Sequence, residues 1–267
     1  MILVDGQANE SIHALDRGLA YGDGVFRTMR ARAGVLQLWA EHYGKLRADC
    51  ARIGIECPGE RDLLDDIERL LGVEGDCIVK LIVTRGQGGR GYAVPQSAFP
   101  TRVAASFPPP QPPADCDQRG VRVRWCATRL ADQPALAGVK HLNRLENVLA
   151  RSEWTDAAIA EGLMCDAQGH VVEGTMSNLF ILERGRLVTP PLERCGVEGV
   201  QRARLIALAP RLCAGCDVAP ITPPRLLAAD QVYLTNSVIG AWWVSALDER
   251  TWARCDPTPA LLAALCA

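Results

Sequence analysis

Apolar positions recur along the 267-residue chain with two different periods, and the way these periods follow one another predicts a mixture of strands and helices. Ile2 to Val4 and Val25 to Arg30 read as strands, and the Ala33-Gly34 pair predicts a turn returning the second into Val35 to Leu38. From Trp39 to Ile53 the residues Leu46, Cys50 and Ile53 sit at helical spacing, which places Lys45 and Arg47 beside an apolar stripe. Pro58-Gly59 predicts the start of a second helix and Gly72 its end. Cys77 to Thr84 is a nearly continuous apolar run that suits a buried strand, with Arg102 to Phe107 as its neighbour.

The run Pro108-Pro109-Pro110-Gln111-Pro112-Pro113 can be neither helix nor central strand, because proline lacks the backbone N–H that either would need. It predicts an extended linker, 108–113, between an N-terminal domain, 1–107, and a C-terminal domain, 114–267. In the second domain Val121 to Ala127 alternates like a strand and Asn143 to Ala160 is expected to be helical. Leu163 to Cys165, Val171 to Glu173, Asn178 to Leu182 and Leu187 to Thr189 read as short strands separated by turns. Helices at Val200 to Leu212 and Pro259 to Cys266 bracket two further strands, Gln231 to Thr235 and Trp242 to Leu247. Hairpins with interspersed helices predict an α+β fold rather than a regularly alternating parallel sheet.

Composition narrows the function without naming it. A hydrophobic content of 48% and a net charge of −2 describe an ordinary globular protein, with neither the basic excess of a nucleic-acid binder nor an acidic tail. No apolar segment reaches membrane-spanning length and no leader-like pattern opens the chain, so a cytoplasmic protein with no nucleic-acid or membrane partner is expected. The eleven cysteines lack framework spacing and are expected as reduced thiols. Cys213 and Cys216 form a C-x-x-C pair, but without a second pair or a nearby histidine it reads as a turn rather than a metal site.

Three local patterns carry chemistry. Lys140 stands between a polar loop and an amphipathic helix in Gly138-Val139-Lys140-His141-Leu142-Asn143-Arg144, where desolvation turns an amine into a nucleophile; taken alone, such a lysine is an ordinary solvated side chain. Glu173 lies near Val171, Val172 and Phe180, so it is either a strand-end carboxylate facing water or a buried one that needs a cationic partner. Cys195 to Gln201 is a glycine loop opening a helix, whose N–H groups at Val200 and Gln201 suit a phosphate, with Asn236 and Ser237 as further candidates. A nucleophilic lysine, a carboxylate for a ring nitrogen and a phosphate cradle are what pyridoxal 5'-phosphate requires of a protein. Gly86-Gln87-Gly88-Gly89-Arg90-Gly91 also matches a dinucleotide-binding pattern and would support a nicotinamide-dependent reductase. Tyr92 to Pro95 follows where the required helix would begin, so the segment is expected to be an irregular loop offering Arg85 and Arg90 to a substrate carboxylate.

Gly138 to Arg151, Val171 to Phe180, Leu15 to Phe26 and Thr84 to Tyr92 resemble the fold-type IV pyridoxal phosphate enzymes, the aminotransferase class IV family, and the resemblance runs nearly end to end. It implies a small two-layer α/β sandwich plus an α/β pseudo-barrel of the D-amino acid aminotransferase type, with the lysine in the C-terminal domain, pyridoxal 5'-phosphate as cofactor and a homodimer. Lys140 would hold the cofactor and act as the base, Glu173 would pair with the pyridine nitrogen, and Val200, Gln201, Asn236 and Ser237 would meet the phosphate. The family's His-x-x-Arg-Leu run is here His42-Tyr43-Gly44-Lys45-Leu46, so Lys45 would replace a forked guanidinium by a point charge. Thr28 would face the cofactor beside Phe26 and relay a proton, while Arg27 stands where the family's branched-chain transaminases usually carry glutamate. Arg90, Arg85 and Tyr92 would bind substrate. Within the family, Gly88 to Tyr92 together with Lys140 to Arg144 point to a lyase that releases pyruvate from an amino-substituted chorismate and leaves 4-aminobenzoate for folate synthesis. The alternative of the same fold is a branched-chain or D-amino acid transaminase.

Overall fold

The computed structural model describes residues 1–71 and 75–266, so the predicted helix end at Gly72 lies outside the described residues. The chain divides into two compact units, Met1–Pro110 with Val139–Asn143, and Gln111–Gly138 with Arg144–Ala267.

The first unit contains β1 (Ile2–Val4), β2 (Gln7–Ala8), α1 (Arg17–Tyr21), β3 (Gly24–Arg32), β4 (Val35–Leu36), α2 (Trp39–Arg52), α3 (Glu60–Leu70), β5 (Cys77–Thr84) and β6 (Arg102–Phe107). Its strands form one antiparallel sheet in the order β2-β1-β6-β5-β3-β4. Strand β3 alternates strictly: Val25, Arg27, Met29 and Ala31 are buried, while Phe26, Thr28 and Arg30 are half-buried on the opposite face. Val25 and Met29 pack with Leu46 and Cys50 of α2 and with Leu63 and Ile67 of α3, so the sheet and the two helices share one core. The predicted strand Val35 to Leu38 is shorter, because Leu38 turns into left-handed backbone at φ 57° and opens α2.

The second unit contains α4 (Cys116–Arg119), β7 (Val121–Trp125), α5 (Leu145–Arg151), β8 (Ile159–Cys165), β9 (Val171–Gly174), β10 (Asn178–Glu183), β11 (Arg186–Thr189), α6 (Val200–Leu212), β12 (Cys216–Val218), α7 (Pro223–Ala228), β13 (Gln231–Asn236), β14 (Gly240–Leu247), β15 (Arg250–Thr251) and α8 (Pro257–Cys266). Strands follow the order β12-β11-β10-β13-β14-β7-β8-β9, and β9 pairs back onto β10, which closes β10, β13, β14, β7, β8 and β9 into a six-stranded barrel. One face of these strands packs Val121, Val123, Leu163, Leu179, Ile181, Val232, Leu234 and Val244 together. From the other face, Phe180, Leu182 and Tyr233 pack with Leu205 and Ala209 of α6 and Leu261 and Leu265 of α8. The small unit and the barrel make the α+β fold expected of fold type IV.

Two expectations need correction. The helix predicted over Asn143 to Ala160 is only Leu145–Arg151, and Ile159 and Ala160 already belong to β8. Tertiary bonds capture the segment between them. The Glu153 carboxylate accepts from the Ala127 N–H and from Thr128, and Trp154 Nε1 donates to the Ile159 carbonyl. The chain does change unit inside the proline run, at Pro110/Gln111, but Val139–Asn143 returns to the first unit and does not stay with the C-terminal one. Main-chain bonds explain this: Phe26 N–H donates to the Lys140 carbonyl at 3.0 Å and Leu142 N–H to the Gly24 carbonyl at 2.9 Å, so the segment runs along β3.

Among the described residues no helix is long and apolar enough to cross a membrane, and no group of three or more His, Cys, Asp or Glu side chains is arranged to hold a metal ion. Cys213 ends α6, and Cys216 begins β12 beside β11.

Candidate active site

In the first unit, β3 and α2 bring Thr28 and Lys45 toward the Lys140 segment. The Lys140 Nζ lies 4.6 Å from the centre of the Phe26 ring, and its backbone N–H donates to Asp49 Oδ2 at 3.2 Å. Thr28 follows Phe26 on the same face of β3, so the hydroxyl shares the face on which the lysine amine lies. Lys80, opposite Thr28 on β5, also approaches the Phe26 ring, at 5.4 Å. Lys45 is one turn from Asp49 on α2 and bonds Oδ1 of that carboxylate at 2.6 Å, while Arg27 pairs with Oδ2. Asp49 is 1% exposed, and it had no place in the sequence reading. The available signal was its spacing of four from Lys45, which puts both on one helix face.

Burial sets the protonation of this cluster. Desolvation pulls the Arg27 guanidinium down to about 10, which leaves it cationic at neutral pH. The His42 imidazole is pushed down to about 3, by burial first and then by the positive charges of Arg27 and Lys140. His42 is therefore neutral, and neither ring nitrogen has a hydrogen-bond partner among the described residues.

The loop after β5 departs from expectation. Arg85 was expected at a substrate carboxylate, but its guanidinium is buried and used internally. It makes two bonds to Asp23, at 2.7 and 3.0 Å, and donates to the Ile53 and Gly54 carbonyls. Burial would raise the Asp23 carboxyl, but the bonds from Arg85 and Arg17 outweigh it and hold the group below its usual range. Arg85 thus links β5 to the end of α2. Arg90 and Tyr92 are exposed, on a loop held from below by Arg17, which donates to the carbonyls of Gly91, Tyr92 and Ala93. No helix follows Gly91 among residues 92–101, so the dinucleotide pattern lacks the element that would bind a pyrophosphate.

In the second unit, Glu173 is 3% exposed and held in a fixed orientation. Its Oε2 accepts from the Val197 N–H at 2.9 Å and from Asn178 Nδ2 at 3.5 Å. Asn178 also donates to the Val197 carbonyl and accepts from the Gly199 N–H, so one amide ties β10 to the loop ahead of α6. Glu173, Asn178 and Thr235 form a row across β9, β10 and β13. The positive charges of Arg144 and Arg202 also act on Glu173. The turn between β9 and β10 is shaped by Glu161, fully buried, whose two oxygens accept from Thr175, Met176 and Ser177. Neither Glu161 nor Asn178 was assigned a role from sequence, since no motif marks a carboxylate or amide that serves a turn.

Helix α6 begins with Gly199 as its N-cap and no side-chain cap, which leaves the N–H groups of its first turn, Val200 and Gln201 among them, for an anion. Asn236 is a partial correction. Its side chain closes the turn after β13, donating to the Met176 carbonyl and accepting from Val238 and Ile239 N–H, so its amide is committed. Ser237 is half-buried in that turn.

These residues fit pyridoxal 5'-phosphate. Gly196 lies at φ +82°, and a Cβ there would meet Leu192 at 2.7 Å and crowd Glu173 Oε2 at 3.3 Å; one at Gly199 would meet Asn178 Oδ1 at 2.3 Å. The backbone ahead of α6 thus passes closer to the buried carboxylate and its amide than any side-chain-bearing residue allows. An uncapped helix start for a phosphate and a buried, oriented carboxylate for a ring nitrogen therefore occur in one unit.

The fold and these groups define a cofactor-dependent enzyme of the class IV type. The family model for amino-transferase class IV matches residues 24–247, and the chain belongs to that family, whose members use pyridoxal 5'-phosphate. An aminodeoxychorismate lyase of Vibrio harveyi is 34% identical over 247 residues, which is 92% of this chain and 91% of that one. The crystal structure of 4-amino-4-deoxychorismate lyase from Pseudomonas aeruginosa superimposes with a TM-score of 0.92 at 45% identity, covering 98% of this chain and 97% of the other. A D-alanine aminotransferase of Bacillus licheniformis is 27% identical over 253 residues, covering 91% and 86%.

Proposed function

We propose that the protein is an aminodeoxychorismate lyase, which converts 4-amino-4-deoxychorismate to 4-aminobenzoate and pyruvate and so supplies a folate precursor. The observation that carries this reading is the likeness to the Pseudomonas lyase, at 45% identity over nearly the whole of both chains. When bound, the cofactor supplies an electron sink for the pair left behind as a proton departs from the amine-bearing carbon of the substrate. Lys140 would hold that group through Nζ, and the same amine would take the proton that leaves the substrate. Glu173 holds a negative charge for the ring nitrogen, in an orientation set by Val197 and Asn178. The N–H groups of Val200 and Gln201, with Ser237 and the turn that Asn236 closes, hold the phosphate, and Lys45 adds a positive charge. Thr28 carries a proton toward the leaving group from its place beside Phe26.

Substrate binding falls to Arg90 and Tyr92, the exposed members of the loop that Arg17 pins. Arg90→Ala is expected to lower the specificity constant for the lyase reaction about 30-fold, as for the loss of one charge-assisted contact, with the visible cofactor band unchanged. A variant with an unaltered specificity constant would remove Arg90 from the substrate site.

The test of the function is direct. Purified enzyme loaded with cofactor is given 4-amino-4-deoxychorismate, and separately an amino acid with 2-oxoglutarate. Formation of 4-aminobenzoate and pyruvate in equal amounts supports the lyase. Glutamate formation without 4-aminobenzoate would replace it with a transaminase, the reading favoured by the likeness to the Bacillus enzyme.

The enzyme acts as a homodimer in the cytoplasm. Leu145, Val148 and Leu149 lie exposed at positions i, i+3 and i+4 of α5, an apolar stripe that an isolated unit would leave in water. The ten described cysteines are free thiols, which suits a reducing compartment. Light scattering of the purified protein decides the dimer: a mass of one chain would exclude it.

A further inference from the structure

Asp49 accounts for contacts that the proposed reaction does not by itself require. It is a carboxylate 1% exposed at the last turn but one of α2. Three groups reach it from three segments: Lys45 from its own helix, Arg27 from β3, and the main-chain N–H of Lys140 from Val139–Asn143. A buried carboxylate is tolerated only when it is paired and hydrogen-bonded. Arg27 is buried as well, at 2% exposed, and faces the helix layer rather than the face that carries Phe26 and Thr28, so it serves Asp49 and not a ligand.

The contact to Lys140 is the informative one. The lysine carbonyl accepts from the Phe26 N–H at 3.0 Å, and its N–H donates to Asp49 at 3.2 Å, so both main-chain groups of this residue are held. The first bond belongs to the pairing along β3. The second depends on a side chain 91 positions earlier in the chain. A nucleophile must be placed to within a fraction of an ångström to react well, and a lysine side chain with four rotatable carbons leaves its anchor point as the part the fold can fix.

We infer that Asp49 is a positioning residue for Lys140: it fixes the lysine main chain, while Arg27 and Lys45 hold the carboxylate in place. The inference rests on Lys140 being the residue to which the cofactor attaches. Lys45 is then more than a substitute for the family arginine, because its ammonium, one turn away on α2, steadies the same carboxylate that holds the lysine segment.

The test replaces the buried pair as a pair, Arg27→Met with Asp49→Leu, so that neither Arg27 nor Asp49 is left as a buried charge without its counter-ion. Two measurements are made beside wild type. The first is amide hydrogen exchange in the cofactor-free protein, read at Lys140 and, as an internal control, at Lys80 to Val83 in the middle of β5. The second is the rate at which added pyridoxal 5'-phosphate becomes fixed to Lys140, trapped with borohydride and mapped by peptide mass. The Lys140 amide is expected to exchange at least about tenfold faster with the β5 amides unchanged, and trapping at Lys140 to slow by about tenfold. Unchanged exchange at Lys140 would overturn the inference, and so would faster exchange with an unaltered trapping rate. Should the double variant not fold, Asp49→Ala, which likewise removes the acceptor for the Lys140 N–H, is measured in the same two ways, with the same outcomes decisive. A wild-type label on Lys45 or Lys80 instead of Lys140 would mark the failure of the cofactor assignment itself, whatever the exchange data show.

Discussion

Lys140→Ala is expected to abolish covalent cofactor attachment and to lower turnover by about 10⁴-fold, the upper end of what a positioned acid–base group contributes. The loss is larger than for any other single change because one amine performs two tasks, attachment and proton transfer, and no neighbour replaces it in both. Lys80 approaches the same Phe26 ring, but from β5, within a continuous strand ladder that fixes its backbone opposite Thr28. The visible absorption band should therefore vanish from the washed variant, and borohydride should leave no label on the peptide that spans position 140. Activity within tenfold of wild type, or a label that merely moves to Lys80, would show that the nucleophile has been misplaced.

Glu173→Gln carries the second largest effect, and it should separate cofactor binding from cofactor chemistry. Glutamine keeps the size of the side chain and an oxygen for the Val197 N–H, so the loop ahead of α6 should hold and the cofactor should remain attached. What disappears is the negative charge, at a buried position where Arg144 and Arg202 supply positive charge. Turnover is expected to fall by at least about 100-fold, the lower end for losing one positioned electrostatic or acid–base group. The band position should shift with the protonation of the ring nitrogen while cofactor content stays at wild-type level. Near-normal turnover would mean that the ring nitrogen has another partner; loss of the cofactor would mean that Glu173 serves the architecture of the loop instead.

Much of the fold was legible wherever apolar patterning is continuous. The strands Cys77–Thr84 and Arg102–Phe107 and the helix Val200–Leu212 have the bounds their patterns predict, because each side chain along them meets the same kind of environment at a regular interval. Short elements were missed for the converse reason. Helix α1, of five residues, is too short for a period to show, and it is held by its capping: the Asp16 side chain accepts from the Gly18 N–H, and Gly22 closes the last turn. The predicted helix through Ala160 failed because Glu153 found its partner 25 positions away, at Thr128, and Trp154 turned its ring nitrogen to the Ile159 carbonyl that begins β8.

The sequence by itself determined the class of fold, the nature of the candidate chemistry and the two residues to which the proposed function gives the central roles. Lys140 and Glu173 sit in runs whose immediate neighbours already define a boundary lysine and a carboxylate among apolar residues, and such local features survive without any knowledge of the third dimension. Tertiary structure decided which groups are free for chemistry and which are consumed in holding it. Arg85 resembles Arg90 as a loop arginine, yet it is withdrawn into bonds with Asp23, 62 positions away, while Arg90 stays exposed. The lysine segment joins the first unit although the linker precedes it, and Asp49 becomes the residue that fixes it. Those outcomes depend on ion pairs and hydrogen bonds between distant positions, formed only where burial makes an unpaired charge or amide costly, and no local period in the chain encodes such a pairing.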